Sequence, residues 1–406
     1  MPCLRRRFRH NAVGLRIGLI ILHADARRGG AEKYTIDLSR SLAHRGHDVT
    51  LLAGSFHEPP WEVKQIKCEA SAITKTLGYR RFLSQLDTHL STHSFDVLHA
   101  MLPVRQCDLY HPHAGLAIES LITGHLKYRG KFAQTVARWA NRTNPKRRAF
   151  ARVERQLLSG SVPPMVLCLS DYVRRSVRDR YPLRDNLLPI LFNAVDLRHF
   201  DPKRRPDAGN DMRAEFGLGH ETVVALFVGQ DFHRKGLATA IRAVGRCTDP
   251  RVRLLVVGKD VPGPYRGLAR KLGIEKRVVF AGGTPDAYRF YRGADFFILP
   301  TRHDPCSLVV LEALAMGVPV ITTSLNGAAE IMTHGLDGMI VNDPNDVLRL
   351  TDAIKTLMDD RIRSTMAQAA LSLRPRLSYD QHVSQLVTIY QTAIDRKRRP
   401  AASQDA

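Results

Sequence analysis

The sequence predicts an α/β protein built from two Rossmann-like domains, each a parallel sheet, that face each other across a cleft. Its 406 residues exceed what one typical hydrophobic core accommodates, so two domains are expected. Apolar runs alternate with helical patterns, most regularly from Val223 to Thr323, as in parallel sheets covered by helices. Runs such as Val223–Val228 are continuously apolar, which is typical of strands buried on both faces.

The predicted elements follow this alternation along the chain. In the first half, we expect strands at Ile17–Leu22, Val49–Ala53 and Phe95–His99, with a helix at Ala31–Arg45 whose apolar residues recur at helical spacing. In the second half, the predicted strands are Val223–Val228, Leu254–Val257, Val278–Ala281, Phe296–Leu299 and Val318–Thr323. The predicted helices between them are Gly236–Val244, Tyr265–Leu272, Asp286–Gly293 and Ser307–Ala315, and a last helix covers about His382 to Ile394.

The domain boundary is expected near the junction that runs from Phe192 to Pro202. We therefore predict a first domain over residues 15–192, a second over 193–376, and a C-terminal helix over 377–396 that crosses back to the first domain. Ligands of open α/β sheets bind beyond the carboxyl ends of the strands, so the predicted binding site is the cleft between the domains.

The charge balance, the cysteines and the N-terminus indicate which partners, bound metals and targeting segments to expect. The chain has 61 Lys and Arg against 39 Asp and Glu, a net charge of +22, which indicates a polyanionic partner: nucleic acid or an anionic membrane surface. Six scattered cysteines with no CxxC argue against a disulfide framework or a zinc site. The basic and apolar N-terminus is similar to a signal peptide, but Arg16 interrupts the apolar run, so we interpret it as the first strand.

The most informative segment runs from Leu299 to Pro319. It places two carboxylates, Asp304 and Glu312, on either side of a predicted helix start. The backbone amides of such a helix start bind anions, and here they belong to Cys306, Ser307 and Leu308. An anion site between two carboxylates that can bind hydroxyls suits a nucleotide diphosphate joined to a sugar.

Three further motifs follow predicted strands and contain candidate substrate contacts. Gly29, Gly30 and Glu32 belong to a Gly-Gly-Ala-Glu turn that opens the first helix, where glycine lets backbone amides approach a phosphate closely; a purely structural turn is the alternative. Arg234 and Lys235, after strand Val223–Val228, can stabilise a departing diphosphate. Asn326 opens a loop that shapes the donor pocket or simply forms an Asn-Gly turn.

The reacting centre of the first domain is predicted from residue type. His113 is the preferred candidate to hydrogen-bond a sugar hydroxyl, with His111 less favoured, although a lone histidine is more often structural. Asp25, just beyond the first strand, is a candidate acceptor-side carboxylate.

These motifs, in this order, resemble those of glycosyltransferase family 4, and most of all the lipopolysaccharide core glucosyltransferases. The resemblance implies a GT-B fold and a retaining transferase for a UDP-sugar, expected to be UDP-glucose. It implies that Glu312 binds the ribose and Asp304 the donor sugar, where the family usually has Glu, one bond length (~1.5 Å) longer. The sequence contains no Asp-x-Asp, so neither a metal nor a cofactor is expected.

A basic segment over residues 125–155 is predicted to face a membrane. Ten Lys or Arg lie between Lys127 and Arg155 against the single acid Glu154, interleaved with Phe132, Val136, Trp139 and Phe150. This pattern favours an anionic lipid surface, and the resemblance agrees. Nucleic acid or a plain solvated helix is the less favoured alternative. The expected location is therefore the cytoplasmic face of the inner membrane, with a glycan or glycolipid acceptor.

Two alternatives to this function stay open at the level of sequence. The same fold could transfer a sugar to a carotenoid, a phospholipid or an exopolysaccharide intermediate. The chain could also be a catalytically silent nucleotide-sugar or polyanion-binding protein.

Overall fold

The computed structural model describes residues 14–113, 115–122 and 143–398, and within them it forms two six-stranded parallel sheets. The first sheet has the order β3-β2-β1-β4-β5-β6. This is the strand order of the dinucleotide-binding folds. Successive strands are added first on one side of β1 and then, from β4 onwards, on its other side. Its strands are Arg16–Ala24 (β1), Asp48–Phe56 (β2), Lys64–Lys67 (β3), Val97–Ala100 (β4), Leu109–Tyr110 (β5) and Met165–Val166 (β6).

The second sheet repeats this arrangement with the order β12-β11-β10-β7-β8-β9, so its reversal lies between β7 and β10. All of its pairings are parallel. Its strands are Val223–Val228 (β7), Val252–Val257 (β8), Val278–Gly282 (β9), Phe296–Leu299 (β10), Val320–Thr323 (β11) and Gly338–Val341 (β12).

Helices connect the strands of both sheets. Those of the first half are Gly30–His44 (α1), Lys75–Thr92 (α2), Ala117–Ile122 (α3), Pro145–Leu158 (α4) and Asp171–Arg178 (α5). Those of the second half are Ala208–Glu215 (α6), Leu237–Arg246 (α7), Gly263–Lys271 (α8), Tyr288–Gly293 (α9), Leu308–Ala315 (α10), Val347–Thr356 (α11), Asp360–Ser372 (α12) and Tyr379–Arg398 (α13). Within the described ranges, no helix is both long and apolar enough to span a membrane.

The predicted fold class is confirmed, and most predicted elements lie within a few residues of the observed ones. Four strands were not predicted: β3, β5, β6 and β12. β5 and β6 have two residues each, too few to show a periodic pattern, and β3 and β12 are four-residue strands at the edges of the two sheets. The strands of each sheet are parallel, so their carboxyl ends lie at one edge of that sheet. The loops after β1 and β5 lie at this edge of the first sheet, and those after β7, β10 and β11 lie at the same edge of the second. These loops contain the predicted motifs.

The last helix, α13, packs against the first sheet rather than the second. Val383 and Leu386 belong to the same buried apolar cluster as Ile17 and Leu19 of β1. Polar contacts reinforce this packing, because the Tyr34 hydroxyl of α1 is 2.8 Å from Nε2 of His382.

The polar contacts belong to a buried histidine cluster in the first domain. The Tyr390 hydroxyl lies 2.8 Å from Nδ1 of His99, and Nε2 of His99 lies 3.3 Å from Nδ1 of His111. The cluster comprises His99, His111, His113 and His382, all at most 8% exposed. His111 is therefore fully buried and packs within this cluster, next to His113.

Candidate active site

Two helix N-termini, one from each domain, meet at the cleft. A Cβ built on Gly30, the first residue of α1, would lie 3.3 Å from Cδ1 of Leu308, the first residue of α10. Neither helix is capped by its own N-cap side chain, since Gly29 has none and the Ser307 hydroxyl makes no such bond. Helix N-termini attract anions through their amides and dipole. The glycine turn and the predicted anion site at Ser307 are thus brought together.

A buried ion pair lies beside the start of α10. Nζ of Lys235, whose side chain is 12% exposed, contacts Oδ2 of Asp304 directly, and it lies 3.4 Å from Oγ of Ser307. Nη1 of Arg234 donates to the carbonyl of His303 at 2.9 Å. Burial alone would raise the pKa of Asp304, but the charges of Lys235 and Arg234 outweigh it and lower that pKa. Asp304 is therefore an anion at neutral pH.

Glu312 lies one helical turn after Leu308. Both side chains line a small cavity between the domains. Its Oε2 accepts a hydrogen bond of 2.9 Å from the Tyr291 hydroxyl, and its Oε1 lies 3.6 Å from Nζ of Lys33 on α1. Tyr291 is fully buried, so the carboxylate is fixed from behind while Lys33 reaches it across the cleft. Neither partner was predicted from the sequence, because neither belongs to a motif.

His113 lies on the first-domain side and contacts the interdomain junction. Its Nε2 is 3.0 Å from Oδ1 of Asn193, and Nδ2 of Asn193 donates to the carbonyl of Cys306 at 2.9 Å. Burial lowers the pKa of His113 to about 4, so the imidazole is neutral at physiological pH. Cys306 thus contributes its backbone here, while its thiol is buried.

Three further contacts across the cleft were not predicted. Oγ of Ser170 donates to the carbonyl of Pro305 at 2.7 Å, and the Tyr172 hydroxyl is 2.6 Å from Nδ1 of His303. The Glu330 carboxylate accepts from the amides of Asp171 and Tyr172 at 2.7 and 2.8 Å, so a residue of the second domain caps α5 of the first. The loops after β10 and β11 therefore hold the domains together beside the candidate site.

Three predicted residues have other contacts in the structure. Asn326, a candidate substrate contact in a loop expected to shape the donor pocket or form a plain turn, has a fully buried side chain. Its Oδ1 accepts from the amides of Ser307 and Ala328, and its Nδ2 donates to Thr322, so it holds the loop in place. Asp25 binds the backbone and guanidinium of Arg27 within its own loop. The Glu32 carboxylate lies over Gly29, 3.1 Å from where a Cβ would be.

Much of the predicted membrane segment lies outside the described residues, including Phe132, Val136 and Trp139. Phe150 is described and corrects the prediction, because its ring stacks on buried Tyr79 with centroids 4.1 Å apart. The exposed face of α4 instead presents arginines at helical spacing: Arg148, Arg152 and Arg155. The described part of the segment is thus cationic but not apolar on its outer face.

Glycine at position 327 is required by the interdomain contact. A Cβ there would lie 1.9 Å from the carbonyl oxygen of Pro305 and 2.3 Å from Oγ of Ser170. We expect Gly327→Ala to lower the free energy of unfolding by about 1–3 kcal/mol, as overpacking does. The matched control is Gly267→Ala within α8, where a Cβ meets nothing within 4 Å and should stabilise by about 0.5–1 kcal/mol. Urea unfolding of both variants checks this; equal effects would contradict the close approach.

Comparisons with known proteins agree with this architecture. The model of the Glycosyltransferase Family 4 domain matches residues 28–199, and the model of the Glycosyl transferases group 1 domain matches residues 210–372. The first match therefore covers five of the six strands of the first sheet and most of the junction, and the second covers all six strands of the second sheet.

Individual relatives are similar over most of their length. Lipopolysaccharide glucosyltransferase WaaG of Escherichia coli is 23% identical over 84% of this chain and 90% of the relative. D-inositol 3-phosphate glycosyltransferase of Acidothermus cellulolyticus is 28% identical over 93% and 88%. Among solved structures, WaaG superimposes with a TM-score of 0.74 at 22% identity, covering 88% of this chain and 95% of that one. Anabaena HepE in complex with UDP-glucose superimposes with a TM-score of 0.69 at 17% identity, covering 93% and 100%.

Proposed function

This chain belongs to the family-4 glycosyltransferases with the GT-B fold, and we propose that it is a retaining enzyme that transfers glucose from UDP-glucose. The proposed acceptor is a lipopolysaccharide core or another membrane-associated glycan or lipid. The observation that carries the proposal is the meeting of two helix N-termini, at Gly30 and Leu308, neither capped by its own N-cap side chain, beside Lys235 and Glu312. That arrangement suits a nucleotide diphosphate bound between the domains.

We infer the orientation of the donor in the site from the positions of the Glu312 and Asp304 carboxylates relative to α10. Glu312 is one turn into the helix and anchored by Tyr291, so it can accept hydrogen bonds from the two ribose hydroxyls. Asp304 precedes the helix and is ionised, so it can accept from hydroxyls of the hexose. The diphosphate then lies between them, at the helix start. The choice of uridine and glucose is supported by the likeness to WaaG and HepE, whose names or ligands specify glucose.

The chemistry we propose is attack of the acceptor on the face that the diphosphate leaves. The bond between the anomeric carbon and the β-phosphate oxygen breaks, and the acceptor oxygen bonds to that carbon on the same face. The acceptor proton passes to the departing phosphate oxygen. Lys235, Arg234 and the α10 amides stabilise the negative charge that develops on the diphosphate. His113 accepts a hydrogen bond from a sugar hydroxyl.

Metal independence is part of the proposal. In this proposal Lys235, which is buried within reach of Ser307 at the start of α10, supplies positive charge that a divalent ion would otherwise provide to the diphosphate. Among the residues that the structure describes, no group of three or more His, Cys, Asp or Glu side chains is arranged to hold a metal ion.

The ribose assignment is tested by Glu312→Ala. Loss of a charged hydrogen-bonding partner costs ~1.5–3 kcal/mol, so kcat/KM should fall about ten- to a hundredfold, mainly through a higher KM for the donor. The matched control is Tyr291→Phe, which keeps the buried ring but removes the hydroxyl 2.9 Å from Glu312, and should lose less than about tenfold. Glu312→Ala within twofold of wild type would exclude a ribose role.

Membrane attachment is proposed through the cationic face of α4. Each exposed Lys or Arg near an anionic surface contributes about 1 kcal/mol, so Arg148, Arg152 and Arg155 together correspond to about a hundredfold in vesicle affinity. We expect the triple Gln variant to lose this affinity in sedimentation with phosphatidylglycerol vesicles, and 0.5 M salt to do the same. A control triple variant at Arg266, Arg270 and Lys271 of α8 should bind normally. Equal loss in both variants, or tighter binding to duplex DNA than to vesicles, would contradict a lipid-facing α4.

A further inference from the structure

We propose that Asn193 is a positioning residue that fixes which nitrogen of His113 carries the proton. It does so only when the donor loop of the second domain, residues 300–307 between β10 and α10, is in place. The inference rests on the proposed function, in which His113 binds a reacting sugar. It adds a residue that touches no substrate: Asn193 is 2% exposed at the start of the interdomain junction.

The orientation of the Asn193 amide is set by Cys306. The carbonyl of Cys306 can only accept a hydrogen bond, so the Asn193 atom 2.9 Å from it must be the NH₂ group. The Asn193 carbonyl oxygen therefore faces His113, with 3.0 Å between Oδ1 and Nε2. Because that oxygen also only accepts, Nε2 of His113 must donate. A neutral imidazole has a single N–H, so Nδ1 is left unprotonated and able to accept from a hydroxyl.

The imidazole is neutral because of its surroundings. Burial lowers the pKa of His113, while the bond to Asn193 and the charge of Asp304 act in the opposite direction. The other titratable groups around it are neutral at pH 7, since burial raises the pKa of the tyrosine and lowers the pKa of the histidines. These groups are Tyr34 with its ring 4.7 Å away, His111 at 5.1 Å, and His99 and His382 behind them.

The two hydrogen bonds of Asn193 join segments that are far apart in the chain. His113 precedes it by 80 positions, and Cys306 follows it by 113 positions in the loop that starts α10. If that loop moves away, the amide loses the partner that orients it and can rotate by 180°, which would present NH₂ to His113 and reverse the tautomer. Closure of the donor loop is thereby coupled to the protonation pattern of a residue in the other domain.

Two substitutions at Asn193 separate this role from simple packing. Asn193→Asp places a carboxylate against Nε2 and should stabilise the imidazolium, so the acidic limb of the kcat/KM profile should move upward by about two pH units. Activity should then already fall between pH 6.5 and 5.5, where wild type is flat. Asn193→Ala frees the tautomer without adding charge, so kcat should fall about tenfold at every pH with no displacement of the limb.

The matched control is Ser170→Ala, which also removes one hydrogen bond between the domains, 2.7 Å long, to the neighbouring carbonyl of Pro305, together with the N-cap bond from the Val173 amide. Its profile should keep the wild-type shape. Far-UV circular dichroism at each pH restricts the comparison to folded protein. An Asn193→Asp profile that superimposes on that of wild type would overturn the proposal, as would the same displaced limb in Ser170→Ala.

A readout without turnover distinguishes failure of this proposal from failure of the proposed function. With ¹⁵N-labelled histidine, the His113 signals, assigned by their loss in His113→Gln, should show a proton on Nε2 in wild type and a mixture of tautomers in Asn193→Ala. An unchanged tautomer in Asn193→Ala overturns the positioning role. The expected tautomers together with full transfer by His113→Gln would support the positioning and reject the catalytic role of His113.

Discussion

Replacing Lys235 by Met is expected to lower kcat by about 10²–10³-fold while the KM for the donor changes little. Its Nζ contacts both Asp304 and Ser307 at the start of α10, where the charge of the leaving diphosphate would develop. Losing one preorganised group of this kind costs ~2.7–4 kcal/mol in the transition state. Met keeps the length of the buried stem, so the loss reports on the charge rather than on packing.

The buried partner makes a stability measurement necessary alongside the kinetics. Removing one member of a buried ion pair leaves an unpaired charge and costs about 3–5 kcal/mol of folding free energy. The assay should therefore be run well below the Tm of the variant. Lys235→Arg, which retains the charge, is the matched control and should recover most of kcat. A Lys235→Met enzyme that stays folded and keeps kcat within tenfold of wild type would remove Lys235 from the chemistry.

The second large effect is expected in stability at mildly acidic pH. Burial lowers the pKa of His99 to about 3 and those of His113 and His382 to about 4, and it lowers the pKa of His111 well below its usual range. Unfolded histidine titrates near 6.5, so below that pH the unfolded chain binds protons that the folded chain does not. The stability contributed by these neutral side chains is complete above about pH 6.5 and is lost as the pH falls toward 4.

The size of the effect follows from the number of protons. Each such histidine costs at most about 1.4 kcal/mol per pH unit, and four together cost up to about 5.5 kcal/mol per unit, comparable with the whole stability of a typical domain. We expect the free energy of unfolding, measured by urea titration at several pH values, to fall steadily below pH 6.5 and the protein to unfold cooperatively below about pH 5. His382→Gln keeps a donor for the Phe192 carbonyl and should flatten the slope by one proton, whereas His93→Gln on the exposed end of α2 should not. A pH-independent stability from 7 to 5 would contradict the buried neutral cluster.

The fold could be predicted because most of its longer strands are apolar runs that alternate with helices. Val223–Val228, for example, was predicted with the observed bounds, since a strand covered on both faces needs apolar residues throughout. Leu109–Tyr110 was not predicted, because two residues carry no periodicity and the strand exists only through its neighbours.

The residues of the candidate site also fall into two groups, those that a local motif predicts and those that only the fold brings together. Asp304, Lys235 and Glu312 belong to contiguous motifs at strand ends, which sequence displays directly. Tyr291 and Lys33 contact Glu312 from other segments, and nothing local marks them. Asn193 was visible in the junction, but its two contacts span 80 and 113 positions and depend on how the domains meet. Asn326 shows the limit of a motif, because a polar residue in a strand-end loop can hold the loop itself in place.

The central claim is that this cleft binds a UDP-hexose without a metal. The direct test is a panel of UDP-glucose, UDP-galactose, UDP-N-acetylglucosamine and GDP-mannose with EDTA present, scored by slow donor hydrolysis and by thermal shift. A ligand at a hundred times its Kd stabilises the folded state by about 2.7 kcal/mol, which a thermal shift resolves. We expect UDP-glucose to give both signals in wild type and neither in the Lys235→Met, Glu312→Ala double variant. Stabilisation and hydrolysis that appear only with an added divalent cation, or no response to any of the four donors, would contradict the account.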